Sequence, residues 1–90
     1  MNRVIVTVVG KDTVGIIAAV CTYMASKGIN ILDISQTIVQ EYFNMMMITD
    51  IKGCTVPFDV MSSDLQKIGE DMGVQVKCQR EDIFDQMHRI

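Results

Sequence analysis

The chain of 90 residues is long enough for one small domain, and a domain of this size buries only ~60% of its unfolded surface. With 49% hydrophobic and 21% charged residues, the composition is that of a globular domain and excludes intrinsic disorder. The net charge of −3 and scattered basic residues argue against nucleic-acid binding, and no apolar run approaches the ~20 residues of a membrane span.

The cysteines and the N-terminus indicate the cellular setting. Cys21, Cys54 and Cys78 are odd in number and widely spaced, and no C-x-x-C pair occurs. This pattern predicts buried, reduced thiols rather than a disulfide framework or a zinc site. The N-terminus lacks the basic start and apolar block of a secretory leader, so we expect a cytoplasmic protein.

Hydrophobic periodicity predicts the first three elements. The β-branched run RVIVTVVG predicts a central strand that ends at Gly10. From Ile16 the apolar residues recur every three or four positions, which predicts a helix from about Val14 to Lys27, with Gly28 as its left-handed C-cap. The segment NILDISQTIVQ then alternates, as an antiparallel strand with one polar face does.

The second half predicts four more elements. A break at residues 41–44 leads into MMMITDI, a strand whose methionines reach both faces, and Pro57 opens a second helix that ends at Gly73. VQVKCQR alternates as a fourth strand, and residues 82–90 form a short amphipathic helix. Residues 1–90 therefore form a single α+β domain, a ferredoxin-like βαββαβ sandwich with a four-stranded antiparallel sheet, two helices on one face and a short C-terminal helix.

The segment GKDTVG between the first strand and the first helix is the main candidate site. It lacks the spacing of dinucleotide and P-loop motifs, which argues against a nucleotide site. Gly10 can adopt positive φ, Asp12 or Thr13 can cap the helix, and Gly15 leaves the helix start open to a ligand carboxylate. Alternatively, both glycines serve only the turn and close packing. In GIN, the side-chain amide of Asn30 can both donate and accept hydrogen bonds, which would suit a ligand. The alternative is that Asn30 only caps a turn.

Other chemistries find little support in the sequence. His88 is the only histidine and has no partner at a recognisable catalytic spacing, and the eight methionines form no metal-binding motif, so they fill the core or a dimer seam. Asp33, Ser35 and Thr37 share one strand face, which is either solvated or the polar lining of an interface. The first loop offers only Lys11 where an acylphosphatase needs arginine. We therefore expect no enzymatic activity, no cofactor and no metal.

Longer motifs carry a resemblance to a known family. The pattern V-x-V-V-G-K-D-x-x-G-I-I followed by G-I-N-I-x-D-I-S-Q resembles the ACT domain, a small ligand-binding regulatory module of amino-acid metabolism. More narrowly, DISQT, EYFNMM and IFDQMHRI are similar to free-standing bacterial single-ACT-domain proteins of about 90 residues. The resemblance covers essentially the whole chain. It implies a homodimer, paired side by side or back to back, with a small ligand, commonly an amino acid, between two domains.

The resemblance also implies the ligand-binding residues, which are Gly10, Lys11, Asp12, Gly15, Asn30 and Ile31. Many ACT loops carry proline where this chain has Val14, so the loop should be less rigid. We therefore predict a non-catalytic regulatory module that dimerises and binds a small metabolite, an amino acid, at the subunit interface and controls a protein partner. The alternative is an interaction adaptor that controls an enzyme or a transcription factor without a small ligand.

Overall fold

A computed structural model describes residues 2–11 and 15–81 and contains the predicted four strands and two helices. The antiparallel sheet has the order β2-β3-β1-β4, so β1 and β3 are central and β2 and β4 form the edges. The predicted ferredoxin-like fold is confirmed, whereas the predicted helix over residues 82–90 lies outside the described residues. The elements are β1 (Arg3–Lys11), α1 (Ile16–Ser26), β2 (Asn30–Val39), β3 (Tyr42–Asp50), α2 (Phe58–Met72) and β4 (Val74–Arg80).

The core lies between the two helices and one face of the sheet. It holds alternate residues of the central strands and the inward face of each helix. This follows because side chains alternate between the two faces of a strand and recur on one face of a helix every three or four residues. Met46, between two buried methionines of β3, points to the opposite face and is 39% exposed. The prediction that the methionines of β3 reach both faces is therefore confirmed. The largest buried core side chains include Val4, Val6, Val8, Ile16, Val20, Met24, Phe43, Met45, Met47, Met61 and Leu65.

Two glycines allow β4 to pack closely against its neighbours. A Cβ atom on Gly10 would lie 2.9 Å from Cγ1 of Val74, and one on Gly69 would lie 2.7 Å from Cγ2 of Val76. Gly10 lies within the extended β1, so the predicted positive φ at this residue is wrong, and its small size serves packing instead. This bears out the packing alternative for Gly10.

The start of α1 also differs from the prediction. The helix begins at Ile16, and Gly15 occupies the N-cap position with φ 88°, without a side-chain capping hydrogen bond. The predicted N-cap at Asp12 or Thr13 is therefore wrong. A glycine is favoured here because the left-handed region is sterically costly for residues with a Cβ atom.

The hairpin between β2 and β3 is tighter than expected. Its turn comprises Gln40 and Glu41 rather than residues 41–44, and Gln40 adopts φ 57°. A β-bulge between Ile31 and Asp33 interrupts the alternation of β2. Among the described residues, β2 is exposed on both faces beyond Ile31, whereas exposure of one polar face only was expected.

One polar contact joins the two helices. The hydroxyl of Tyr23 on α1 donates a hydrogen bond of 2.6 Å to Oδ2 of Asp64 on α2. Burial, the bond to Asp64 and the negative charge of that carboxylate all raise the pKa of Tyr23. The contact links α1 to α2, which pack against each other.

Candidate functional site

The first half of the predicted site lies where β1 ends and α1 begins. Gly10 and Lys11 are the last residues of β1, and Nζ of Lys11 is 3.6 Å from Oε2 of Glu41 on the neighbouring turn. Among the described residues, a Cβ atom on Gly15 would meet only Cε of Met72, at 3.8 Å. The first N–H groups of α1 receive no cap from Gly15 and carry the positive end of the helix dipole. This end of the sheet therefore suits an anionic group. Asp12, which was also predicted to bind the ligand, lies outside the described residues.

The second half of the site is the start of β2. Asn30 is exposed and pairs with Asp50, whereas Ile31 is half-buried and packs against the core. The preceding turn is rigid because Gly28 has φ 74° and a Cβ atom there would lie 2.5 Å from the carbonyl oxygen of Gly53. The N–H of Ile29 also donates to the carbonyl of Met24 at 2.9 Å. These contacts position the backbone at the start of β2, from which the Asn30 side chain projects.

The two halves lie at opposite ends of the same sheet. Gly10 pairs with Phe43 of β3, and Asn30 pairs with Asp50 of the same strand. The two β3 positions are seven residues apart, which is about 23 Å at the rise of an extended strand. One chain therefore does not bring the predicted ligand-binding residues together.

The edge strand β2 exposes an unusual number of apolar side chains. It carries a single charged residue, Asp33, and contains no lysine, arginine or proline. Edge strands of soluble monomers normally carry such residues to prevent pairing with another chain. The exposed apolar residues of β2 are Leu32, Ile34, Ile38 and Val39, with exposed fractions of 43 to 63%.

A groove of about 510 Å³ follows the other edge of the sheet. It lies between α2 and β4 and is lined by Ser62, Gln66, Glu70 and residues 74–79. Because β2 and β4 are opposite edges, the groove does not connect the two halves of the predicted site. Burial raises the pKa of the Cys78 thiol to about 11, against the opposing effect of a hydrogen bond with Ser62, so this thiol is not an activated nucleophile.

The described residues give no support to metal chemistry or membrane insertion. Within 2–11 and 15–81, no three or more histidine, cysteine, aspartate or glutamate side chains cluster in a way that would hold a metal ion. The three cysteines are free and half-buried. In the same residues, no helix is both long and apolar enough to cross a membrane. His88 lies outside the described residues.

Sequence comparison defines the class of this sandwich. Residues 2–79 match the ACT domain, and the chain belongs to the ACT domain family. Within the family it is similar to single-domain proteins of its own length. A UPF0237 protein of Bifidobacterium longum is 57% identical over 90 residues, which cover 100% of both chains. The resemblance to free-standing ACT proteins is thus confirmed.

Solved structures agree with this assignment. An ACT domain protein from Streptococcus pneumoniae is 37% identical and superposes with a TM-score of 0.79, covering 92% of this chain and 93% of that one. A formyltetrahydrofolate deformylase from Pseudomonas syringae also has a TM-score of 0.79 at 20% identity, but only 28% of it is covered. The second match shows the shared fold alone, here as one part of a longer enzyme.

Proposed function

We propose that the chain is a non-catalytic regulatory module that dimerises and binds an amino acid at the subunit interface. The observation that carries this proposal is the separation of Gly10 and Asn30 by about 23 Å on one sheet. Two antiparallel β2 edges, related by a twofold axis, bring Asn30 of one protomer towards the loop end of the other. The dimer therefore assembles two equivalent sites, each of which is incomplete in a single chain.

The chemistry of both halves suits a zwitterionic ligand. The positive end of α1 and the nearby Lys11 attract a carboxylate, and the Asn30 amide can accept from an ammonium group or donate to the carboxylate. Gly15 at the N-cap position has no side chain, which allows the carboxylate to approach the backbone at the start of α1. A ligand without both groups would leave one half of the site unpaired.

Regulation follows from linkage. A ligand that binds only the assembled dimer stabilises it by RT ln(1 + [L]/Kd), which is about 2.7 kcal/mol at a hundredfold excess over Kd. A regulated protein that binds the dimer better than the monomer would then respond to the concentration of the amino acid. The chain needs no catalytic group for this role.

A thermal-shift screen of the twenty amino acids and a few nucleotides tests the proposal. We expect one amino acid to raise the melting temperature of the parent protein, and the shift to disappear in Asp12→Ala and Asn30→Ala. Gln66→Ala is the matched control, because Gln66 is an exposed side-chain amide on α2 that lines the groove beside β4, outside both halves of the site. No shift with any compound would contradict the proposal, as would equal loss of the shift in Gln66→Ala.

The groove beside β4 favours a second candidate, an interaction adaptor without a small ligand. β4 is an edge strand of the sheet, and the groove gives room for an extended peptide beside it. This candidate predicts a stable protein partner whose binding is lost in Gln75→Lys but kept in Asn30→Ala. Loss of partner binding in Asn30→Ala alone would favour the ligand-dependent module.

A further inference from the structure

We propose that residues 82–90 form a short helix that lies across the open face of the sheet and covers the end of that face next to Glu81. The open face is the one opposite the two helices, and β1 presents Ile5, Thr7 and Val9 to it. The segment needs neither a ligand nor a second copy of the chain for this position.

Burial of the open face changes along the sheet. Ile5 is only 5% exposed, although it lies outside the core cluster between the sheet and the two helices. Its β3 partner Ile48 and its β4 partner Gln79 are half-buried. Further along the same central strand, Val9 is 45% exposed, and its partners on both sides are exposed as well. One end of the open face is therefore far more buried than the other.

The two described helices do not account for this burial. Both helices pack on the face that carries Val4 and Val6, and Ile5 lies between these residues with its side chain on the opposite face. A large apolar side chain on an uncovered part of the open face keeps a substantial exposure, as Met46 does. The low exposure of Ile5 therefore points to a covering segment outside residues 2–11 and 15–81.

Only one such segment begins near Ile5. Residues 12–14 follow Lys11, at the far and exposed end of β1, and Met1 is a single residue. Residues 82–90 follow β4 directly and comprise nine residues.

The end of β4 directs the chain to the open face. Arg80, the last residue of β4, pairs with Val4, one position from Ile5. Nη1 of Arg3 is 3.6 Å from Oε2 of Glu81. Because Arg3 alternates with Val4, this ion pair lies on the open face. Glu81 already has a helical backbone conformation. The chain therefore leaves β4 at the buried end of the open face, where a helix can begin.

The length and pattern of the segment fit this face. Nine helical residues are about 13.5 Å long, and four strands spaced about 4.8 Å apart span about 14 Å. The helix can therefore cross the sheet from β4 to β2 over Gln79, Ile5 and Ile48. Its apolar residues recur at helical spacing and would face the sheet; they are Ile83, Phe84, Met87 and Ile90.

Charge favours this direction of crossing. The segment begins with Asp82 and carries His88 and Arg89 near its end, an order that also suits the helix dipole. In the proposed orientation Asp82 lies near Lys77 of β4, which is exposed on the open face. The basic end of the helix approaches Asp33, which pairs with Ile48 on the β2 side of the same face.

The covering helix determines which surfaces remain for association. Two sheets that stack face to face lie about 10 Å apart, and a helix with its side chains is about 10 Å wide. The segment therefore prevents a second sheet from stacking on the open face, although Val9, Met46 and Tyr42 stay exposed there. Association is directed to the edges of the sheet instead.

Tryptophan fluorescence of the full chain tests the position of the segment, because the protein has no tryptophan of its own. Phe84→Trp should show the short-wavelength emission of a buried indole and resist quenching by acrylamide. Gln86→Trp is the matched control, because it lies on the polar side of the same helix and should emit and be quenched as an exposed indole. Equal quenching of the two proteins would overturn the proposal.

A second change identifies the covered end of the face. Ile5→Lys in the Phe84→Trp protein should move the emission to longer wavelength and increase quenching. Val9→Lys, on the same strand and face, should change neither. A response to Val9→Lys alone would overturn the proposed position.

A lysine at a buried position also destabilises the domain, so smaller changes are measured by urea unfolding. The unfolding constant of the double variant Ile5→Ala with Phe84→Ala should differ from the value that the single changes predict by more than about threefold. The double variant Val9→Ala with Phe84→Ala should agree with additivity within about twofold. Additivity in both pairs would overturn the contact with Ile5.

Dilution distinguishes a second copy as the occupant. A segment that docks on its own chain predicts an emission of Phe84→Trp that stays constant across a dilution series followed by sedimentation. Emission that moves to longer wavelength as the protein becomes monomeric would overturn docking within one chain. Ligand binding has no part in these readouts, so their failure is distinct from failure of the proposed function.

Discussion

Gly69 in the middle of α2 offers a test of helix packing in which two effects oppose each other. Alanine is favoured over glycine by about 1 kcal/mol in a helix interior, so Gly69→Ala should stabilise an isolated α2. In the protein, the new Cβ atom would lie 2.7 Å from Cγ2 of Val76 and 2.8 Å from the carbonyl oxygen of Val74. The valine methyl can move, but the carbonyl belongs to β4, which is paired with β1.

The steric cost of the added methyl group should exceed the gain from the higher helix propensity of alanine. Overpacking by one methyl group costs about 1–3 kcal/mol, and more where a backbone atom must shift. Because one of the two close contacts is with a backbone oxygen, the cost should lie in the upper part of this range, about 2–3 kcal/mol. Subtracting the propensity gain, we expect Gly69→Ala to lower the free energy of unfolding by about 1–2 kcal/mol. For a domain of this size, that change lowers the melting temperature by roughly 4–15 °C.

Urea unfolding at one fixed protein concentration measures the effect, because dimerisation would add a concentration-dependent term. Ser63→Ala, at an exposed position of the same helix, is the control and should leave stability nearly unchanged or slightly higher. The double variant Gly69→Ala with Val76→Ala should be more stable than the sum of the single changes predicts, since one of the two clashes is removed. A Gly69→Ala protein as stable as the parent would refute the close approach of α2 to β4.

Two further predictions concern the core and its pH dependence. Thr49 is fully buried and its hydroxyl donates to the Val4 carbonyl at 2.8 Å, so the isosteric Thr49→Val should cost about 1 kcal/mol in urea unfolding, whereas Thr55→Val at an exposed position should not. The Cys78 thiol has a pKa of about 11 in the folded chain against an ordinary 9.0, so the unfolded chain releases its proton first. Stability should therefore be lost as the pH rises from 9 to about 11, and Cys78→Ala should remove the part of this loss that begins near pH 9. A parent stability that is constant over this range would contradict the burial of the thiol.

The sequence predicted the second half of the fold best, because its boundaries have specific chemical signals. Pro57 precedes α2 and Gly73 ends it with φ 76°, a conformation that favours glycine. β4 then begins at once, and its alternation matches the buried and exposed residues. Local residue chemistry and tertiary packing favour the same structure here.

The errors fall where tertiary contacts override local signals. The glycine at position 10 looked like a turn residue, but β1 continues through Lys11 because β3 and β4 pair with it on both sides. The alternation of β2 predicted a buried apolar face, but within residues 2–11 and 15–81 this face is exposed beyond Ile31. Periodicity alone does not report which strands lie at the edges of a sheet.

For the candidate site, sequence patterns identified residues but not their separation. The βαβ order contains the missing signal, because a crossover helix returns the chain to the end of the sheet where β1 began. The end of β1 and the start of β2 must therefore lie at opposite ends, as Gly10 and Asn30 do. Under the proposed function, this geometry requires that each ligand site draw residues from two chains.

Subunit complementation tests this requirement most directly. Asp12→Ala and Asn30→Ala each remove one half of both sites in a homodimer, whereas a mixed dimer recovers one site in which both halves are intact. We predict that neither variant alone binds the stabilising amino acid in titration calorimetry, and that the isolated mixed dimer binds it with one site per two chains. Mixed dimers that form, as seen by mass spectrometry, but do not bind the amino acid would contradict a ligand site shared between two subunits.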